Sequence, residues 1–327
     1  MPCTPHVVSS TLAMSLMLMS VVGCAGGRLE PFRSTPRLAE RGHLEGSVAV
    51  DIPSDGYQFH SPAEGWLTDG LKHSFLLEEG GIDSRYNGLA PIEAYFFPAP
   101  ERVCYPDDRA IVTDTEIAPW NAMCRLEITF TDGSKAIGSG WMLTPTLVVT
   151  AGHCVHGGRG RDYFQSVDVI PAPNGSAEPY GRMTSTKLRA AQAWIRSGSM
   201  AHDFGAIVLD RPFGSANSAP STLQVRVASE SELNGRDAMV SGYPADRASA
   251  TQWFDLDTIT RVYPDQLEYR IDTYGGQSGS AVVLNDQVVG IHNYGGGYSP
   301  ECTNLATRIT PEVLGQLQEW AREASTP

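Results

Sequence analysis

The sequence predicts an all-β fold, an antiparallel sandwich or a pair of barrels, over the part of the chain that follows about residue 103. Three observations carry this reading. Short apolar runs recur there: CRLEITF, IGSGWML, LVVTA, FGAIVL, AMVSGY, LEYRIDT, SAVVL and QVVGIHNY. Turn residues stand between them, as in TDGSK, and the 33 Gly and 22 Pro of the 327-residue chain favour many turns over long helices. Strands of this length with Gly, Asp and Asn between them belong to antiparallel arrays. One helix is expected at the end of the chain. Thr310 is its N-cap, Pro311 its first residue, and Val313, Leu314, Leu317 and Trp320 fall on one face.

Length and charge bound the function. The chain can bury one large core or two small ones. Its net charge of −13 repels nucleic acid and anionic lipid as main partners. Residues 7–23, VVSSTLAMSLMLMSVVG, suit a signal-peptide core better than a membrane span. The expected signal is 1–24. It ends in VVGC, which resembles a bacterial lipoprotein signal with Cys24 as the lipidated residue. An ordinary secretory signal cleaved nearby, after Ala25, is the alternative. Either one exports the protein, to the medium or to a lipid anchor at the cell surface. Residues 25–102, rich in Gly, Pro and charge, read as a propeptide or N-terminal extension before a domain at 103–327.

Cysteine usage agrees with export. Once Cys3 and Cys24 are set aside, Cys104, Cys124, Cys154 and Cys302 remain. Four cysteines in an exported chain suggest two disulfides with three connectivities open. No C-x-x-C pair offers a zinc site, and no dense loop of oxygen ligands stands out, so no metal or other cofactor is expected.

Three stretches carry the chemistry. In TAGHC, His153 follows an apolar strand and reads as a packed residue, a ligand or a base. In AHDFGAIVLD, Asp203 stands at the mouth of a buried strand and reads as a strand-start residue or as an acid held out of water and aimed at a histidine; His202 is its neighbour. In TYGGQSGSAVV, Ser278 lies among Gly275, Gly276 and Gly279 and reads as part of a glycine-rich hairpin turn or as a nucleophile in a tight turn with N–H groups facing one point. This is not the G-x-S-x-G elbow, since residue 280 is Ser and a strand follows. The order His153, Asp203, Ser278, with gaps of 50 and 75 residues, is the chymotrypsin order.

TAGHC, HDFGAI and GGQSGS together resemble the chymotrypsin-clan serine proteases, and among them the bacterial glutamyl endopeptidases. The resemblance spans about 103–322. It implies a chymotrypsin-like double β-barrel of two six-stranded barrels, with the site between them. It implies His153 as general base and acid, Asp203 as its orienting acid, Ser278 as nucleophile, and the N–H groups of Gly276 and Ser278 as oxyanion donors. Protein or peptide substrates and a monomeric enzyme without a cofactor follow from it.

The same resemblance implies the finer features. His292, in VVGIHNYGG, and Thr273, five residues before Ser278, would bind a Glu or Asp side chain before the scissile bond. Tyr294 stands close enough in sequence to reshape that pocket. Val103 resembles the family's mature N-terminus, whose α-amino group lies near the pocket. Cleavage after Arg102 would need a basic-specific protease, and cleavage after Glu101 would be self-processing. Relatives carry a cysteine where Ser139 and Gly140 stand here, so the resemblance implies Cys124–Cys154 and leaves Cys104–Cys302. The alternatives are a trypsin-fold protease of other specificity, a catalytically silent binding module, and a surface lipoprotein for which proteolysis is incidental.

Overall fold

The computed structural model describes residues 90–91, 101–104, 106–214, 218–296 and 301–325. All belong to one compact unit within 51–327. The expected signal peptide with Cys24, and nearly all of 25–102, lie outside the described residues.

The first half holds β1 (Ala90–Pro91), β2 (Ala110–Ile111), β3 (Met123–Thr129), β4 (Lys135–Thr144), β5 (Leu147–Thr150), β6 (Ser166–Pro171), β7 (Met183–Ser185), β8 (Leu188–Ala190), α1 (Gln192–Ser197) and β9 (Gly205–Val208). The second half holds β10 (Gln224–Val225), α2 (Glu230–Leu233), β11 (Asp237–Gly242), β12 (Trp253–Val262), β13 (Gln266–Tyr269), β14 (Ala281–Leu284), β15 (Gln287–Gly295), β16 (Asn304–Arg308) and α3 (Pro311–Ala324). The all-β expectation holds, and α3 is the expected C-terminal helix.

The second sheet closes. Its order β15-β14-β11-β12-β13-β16 returns to β15 through a direct β15–β16 pairing, which makes a six-strand barrel. The first sheet runs β7-β6-β3-β4-β5-β9-β8 and stays open between β7 and β8 among the described residues. The expectation of two six-stranded barrels is therefore corrected to one closed barrel and a half-barrel. The end strands β7 and β8 have three residues each. At their junction Ser185 Oγ donates to Val208 O at 2.6 Å, so a side chain takes a carbonyl that a longer strand's ladder would use.

β1 adds in parallel to β4 at Ala136 and Ile137, before the stretch of β4 that pairs with the short β5. One irregularity matters for the site. The β15–β16 ladder shifts between His292 and Tyr294, so Asn293 is an extra, bulged residue.

α3 is built as its sequence dictates. Thr310 Oγ1 accepts from Val313 N at 3.2 Å, Pro311 opens the helix, and Val313, Leu317 and Trp320 are buried. The helix packs on β5 and β9, with Trp320 against Phe204 at 5.7 Å between ring centroids. Phe204 directly follows Asp203, so the helix braces the strand that carries the candidate acid. Trp320→Ala should cost about 3–5 kcal/mol of stability. Denaturant unfolding of the full chain measures this, and a loss under about 1 kcal/mol would mean that the helix is not an anchor.

Candidate active site

Strand pairing brings His153 and Asp203 together. β5 and β9 are antiparallel with Thr150 opposite Gly205. His153 lies three residues beyond Thr150, in the 3-10 turn Gly152–Cys154, and Asp203 lies two residues before Gly205. His153 N donates to Asp203 Oδ1 at 2.7 Å, and His153 Nδ1 meets Asp203 Oδ2 at 2.6 Å. Gly152 is required at this approach, because a Cβ there would lie 2.8 Å from Asp203 Oδ1. Both side chains are fully buried. Burial, the largest single influence, pushes an imidazole down, but the Asp203 carboxylate and, after it, Cys154 together outweigh it and hold His153 well above its ordinary value.

Ser278 sits in the turn between β13 and β14. Gly276 and Gly279 adopt φ of +101° and +90°, which an L side chain resists. The turn's carbonyls are all engaged. Gly275 O accepts from Ala245 N at 2.8 Å, Gly276 O from Ser139 Oγ at 2.8 Å, Gln277 O from Ser280 N at 3.0 Å and Ser278 O from Ser139 N at 2.8 Å. In a trans peptide the N–H points opposite the carbonyl. Anchoring Gly275 O and Gln277 O therefore fixes where the N–H groups of Gly276 and Ser278 point. Ser139, on β4 of the half-barrel, staples this turn of the closed barrel by main chain and side chain together. Sequence reading met Ser139 only as a missing cysteine.

The sequence-implied pocket residues are buried beside the turn. His292 Nδ1 is hydrogen-bonded to Tyr269 OH. Burial, and then the nearby Glu101 charge, hold the Tyr269 phenol well above its ordinary value, so it stays protonated. A phenol donating to Nδ1 leaves the imidazole proton on Nε2. Thr273 Oγ1 is buried and makes no hydrogen bond.

Glu101, which sequence reading treated only as a cleavage position, occupies this space. Its Oε1 lies 3.2 Å from His292 Nε2 and accepts from Ser278 Oγ at 2.9 Å. The same serine hydroxyl is 3.1 Å from Asn293 O. The chain beyond is fastened to the pocket wall. Arg102 N donates to Asn304 Oδ1 at 2.9 Å, Arg102 O accepts from Asn304 Nδ2 at 2.8 Å and from Thr273 N at 3.2 Å, and Cys104 N donates to Asp272 Oδ1 at 2.7 Å. Val103 lies between these points, one residue from the Thr273 contact.

Cys104 and Cys302 form a disulfide with Cα atoms 5.8 Å apart. The Cys124–Cys154 expectation is corrected: both are buried free thiols. Cys124 faces Gly140 across the β3–β4 ladder, whereas Cys154 Sγ lies against Gly138, 2.9 Å from where a Cβ on that glycine would be. Residues 138 and 140 share a strand face about 6.5 Å apart, a step too long for a disulfide to cross. Cys154 Sγ instead approaches Ser278 O at 3.6 Å.

Fold and site together define a class, the trypsin-like serine endopeptidases. A trypsin-like peptidase domain model matches residues 138–291. The glutamyl endopeptidase of Bacillus licheniformis is 34% identical over 229 residues, which cover 67% of this chain and 68% of that protein. The extracellular metalloprotease of Bacillus subtilis is 32% identical over 230 residues, covering 68% and 71%. Among solved structures, a Glu endopeptidase in complex with MPD superposes with a TM-score of 0.60 at 30% identity, over 68% of this chain and 100% of that one. The chain belongs to the chymotrypsin-clan serine proteases of the glutamyl endopeptidase type.

The metal in the Bacillus subtilis relative's name is said of that protein. Among the described residues, the one group of three side chains close enough to share a cation is Asp108, Asp255 and Asp272, which includes no member of the candidate triad. No helix among the described residues is long and apolar enough to cross a membrane.

Asp255 and Asp272 give the protein a pH signature. Burial first, and neighbouring aspartates second, push each carboxyl up to about 6. A raised folded-state pKa means that the folded protein holds a proton which the unfolded chain releases. This contribution is fully present below about pH 4 and is lost as pH rises through about 6. Asp272→Asn keeps the acceptor for Cys104 N and removes one charge. Its stability relative to wild type should improve by about 1–2 kcal/mol between pH 4 and pH 7. Denaturation midpoints across that window measure it, and parallel wild-type and variant curves would contradict it.

Proposed function

We propose that this chain is the precursor of an exported endopeptidase that cuts after glutamate, kept latent by its own Glu101. One observation carries the proposal: a glutamate carboxylate of this chain lies against His292 Nε2, beside Ser278 Oγ. A pocket that accepts this carboxylate offers the His292 N–H at the depth of a glutamate side chain, and the buried Thr273 hydroxyl is assigned as the second donor. Asp, one methylene shorter, is the weaker fit.

In the active form Glu101 is withdrawn and Ser278 Oγ turns to His153. His153 Nε2 takes the hydroxyl proton as Oγ attacks the peptide carbonyl. The N–H groups of Gly276 and Ser278 receive the oxyanion, each such donor worth about 3–4 kcal/mol of barrier. His153 then protonates the leaving amine, and water enters by the same path in reverse to release the acyl group. Asp203 keeps the imidazole in register and stabilises its charged form.

Glu101 acts as a plug here rather than as a substrate, because its side-chain carboxylate, not its main-chain carbonyl, meets the nucleophile. Its removal is assigned to a second molecule: another copy cutting after Glu101, or a basic-specific protease cutting after Arg102. The first leaves an α-amino group on Arg102 beside Asn304, and the second leaves it on Val103 beside Thr273. Export through 1–24, lipidation at Cys24, a propeptide over 25–102 and a monomeric mature enzyme complete the proposal.

Three outcomes test it. In the unprocessed chain, Glu101→Ala should raise the rate of Ser278 labelling by a fluorophosphonate about tenfold or more, the worth of one charge-assisted hydrogen bond at the nucleophile; an unchanged rate removes the plug. In the processed enzyme, His292→Ala should lower kcat/KM for a glutamate peptide by about 10²–10³ while labelling persists, since a buried charge loses its partner. The kcat/KM profile should rise with pH through a midpoint above 6.5, because His153 works as the neutral base and Asp203 raises its pKa. A midpoint below 6 would mean that Asp203 does not hold the base.

A further inference from the structure

The bulge in β15 sets three consecutive side chains to separate tasks. His292 faces the pocket, Asn293 and Tyr294 reach Asp203. Asn293 Nδ2 donates to Asp203 O, and Asn293 Oδ1 accepts from Thr307 N at 2.7 Å. Tyr294 OH donates to Asp203 Oδ2, the oxygen that also faces His153 Nδ1. The Tyr294 ring lies beside the His153 ring, 5.8 Å between centroids. The Asp203 carboxylate thus receives His153 N–H on one oxygen, and His153 Nδ1 and the Tyr294 phenol on the other.

We propose that Tyr294 is a positioning residue of the catalytic array, a phenol that holds Asp203 in plane with His153 and tempers the basicity of the imidazole. The inference rests on the triad reading above and not on the choice of substrate. A carboxylate shared among three donors spends less of its charge on any one of them. Removing the phenol proton therefore concentrates that charge on His153 and loosens the carboxylate. Among the described residues, the titratable groups at the pair are Tyr294, from β15, and Cys154, which adjoins His153; Glu101, from the N-terminal segment, lies against Ser278. His202 turns its Nδ1 to Ser199 Oγ.

The test reads His153 directly, by NMR titration of its ring in the full chain. In Tyr294→Phe the His153 midpoint should move up by about half a pH unit or more. Replacing Tyr294 alone by 3-fluorotyrosine, which keeps the shape and strengthens the donor, should move it down. The processed Tyr294→Phe enzyme should lose about tenfold in plateau kcat/KM, with its acid limb displaced upward. Midpoints that coincide with wild type in both variants would overturn the proposal. Failure of Ser278 to label with a fluorophosphonate after processing would instead remove the triad reading on which it rests.

Discussion

A carboxylate with no access to water has to find its whole solvation inside the protein. Asp203 is such a group, with 0% of its surface exposed. Its partners come from two places. The β5–β9 pairing brings the His153 backbone and ring, where Gly152 leaves room for the approach, and the bulge in β15 brings Tyr294 to the carboxylate and Asn293 to the Asp203 carbonyl. Helix α3 then presses on Phe204, the next residue along. Half-barrel, closed barrel and C-terminal helix all converge on one buried charge.

The candidate pocket follows the same physics with an imidazole in place of the acid. His292 is buried, and Tyr269 engages its Nδ1, so Nε2 presents a proton to the pocket. Glu101 answers it with a carboxylate. The segment that carries Glu101 is tied at both ends of a short span, by Asn304 and Thr273 at Arg102 and by the Cys104–Cys302 disulfide. Cutting within 101–103 would leave the new chain end on the pocket wall while freeing the plug. In the proposed function, latency and pocket completion thus share one stretch of backbone.

How much of this was legible in the sequence depended on how local each feature is. His153, Asp203 and Ser278 stood out because each sits in a short stretch whose glycines and flanking apolar residues fix the local turn. The end helix was legible from Thr310, Pro311 and its apolar face for the same reason. The Cys104–Cys302 pairing came from the resemblance. Features set by register were hidden. Tyr294 meets Asp203 across 91 residues, only because Asn293 is bulged, and Glu101 meets Ser278 across 177. Tyr269 and Ser139 gave no local signal, since each acts through a partner supplied by another strand. The Cys124–Cys154 expectation failed on a two-residue offset along β4, and the first barrel stayed open because β7 and β8 are short.

The central claim is that one triad and one glutamate pocket share the turn around Ser278. The direct measurement offers the processed enzyme, beside a Ser278→Ala control, a set of peptides that differ only in the residue before the scissile bond. The account predicts cleavage after Glu, weaker cleavage after Asp, and none in the control. Cleavage after basic or aromatic residues, with Glu refused, would contradict the assignment of His292 and Thr273. Absence of cleavage in every peptide, with Ser278 unlabelled, would contradict the triad itself.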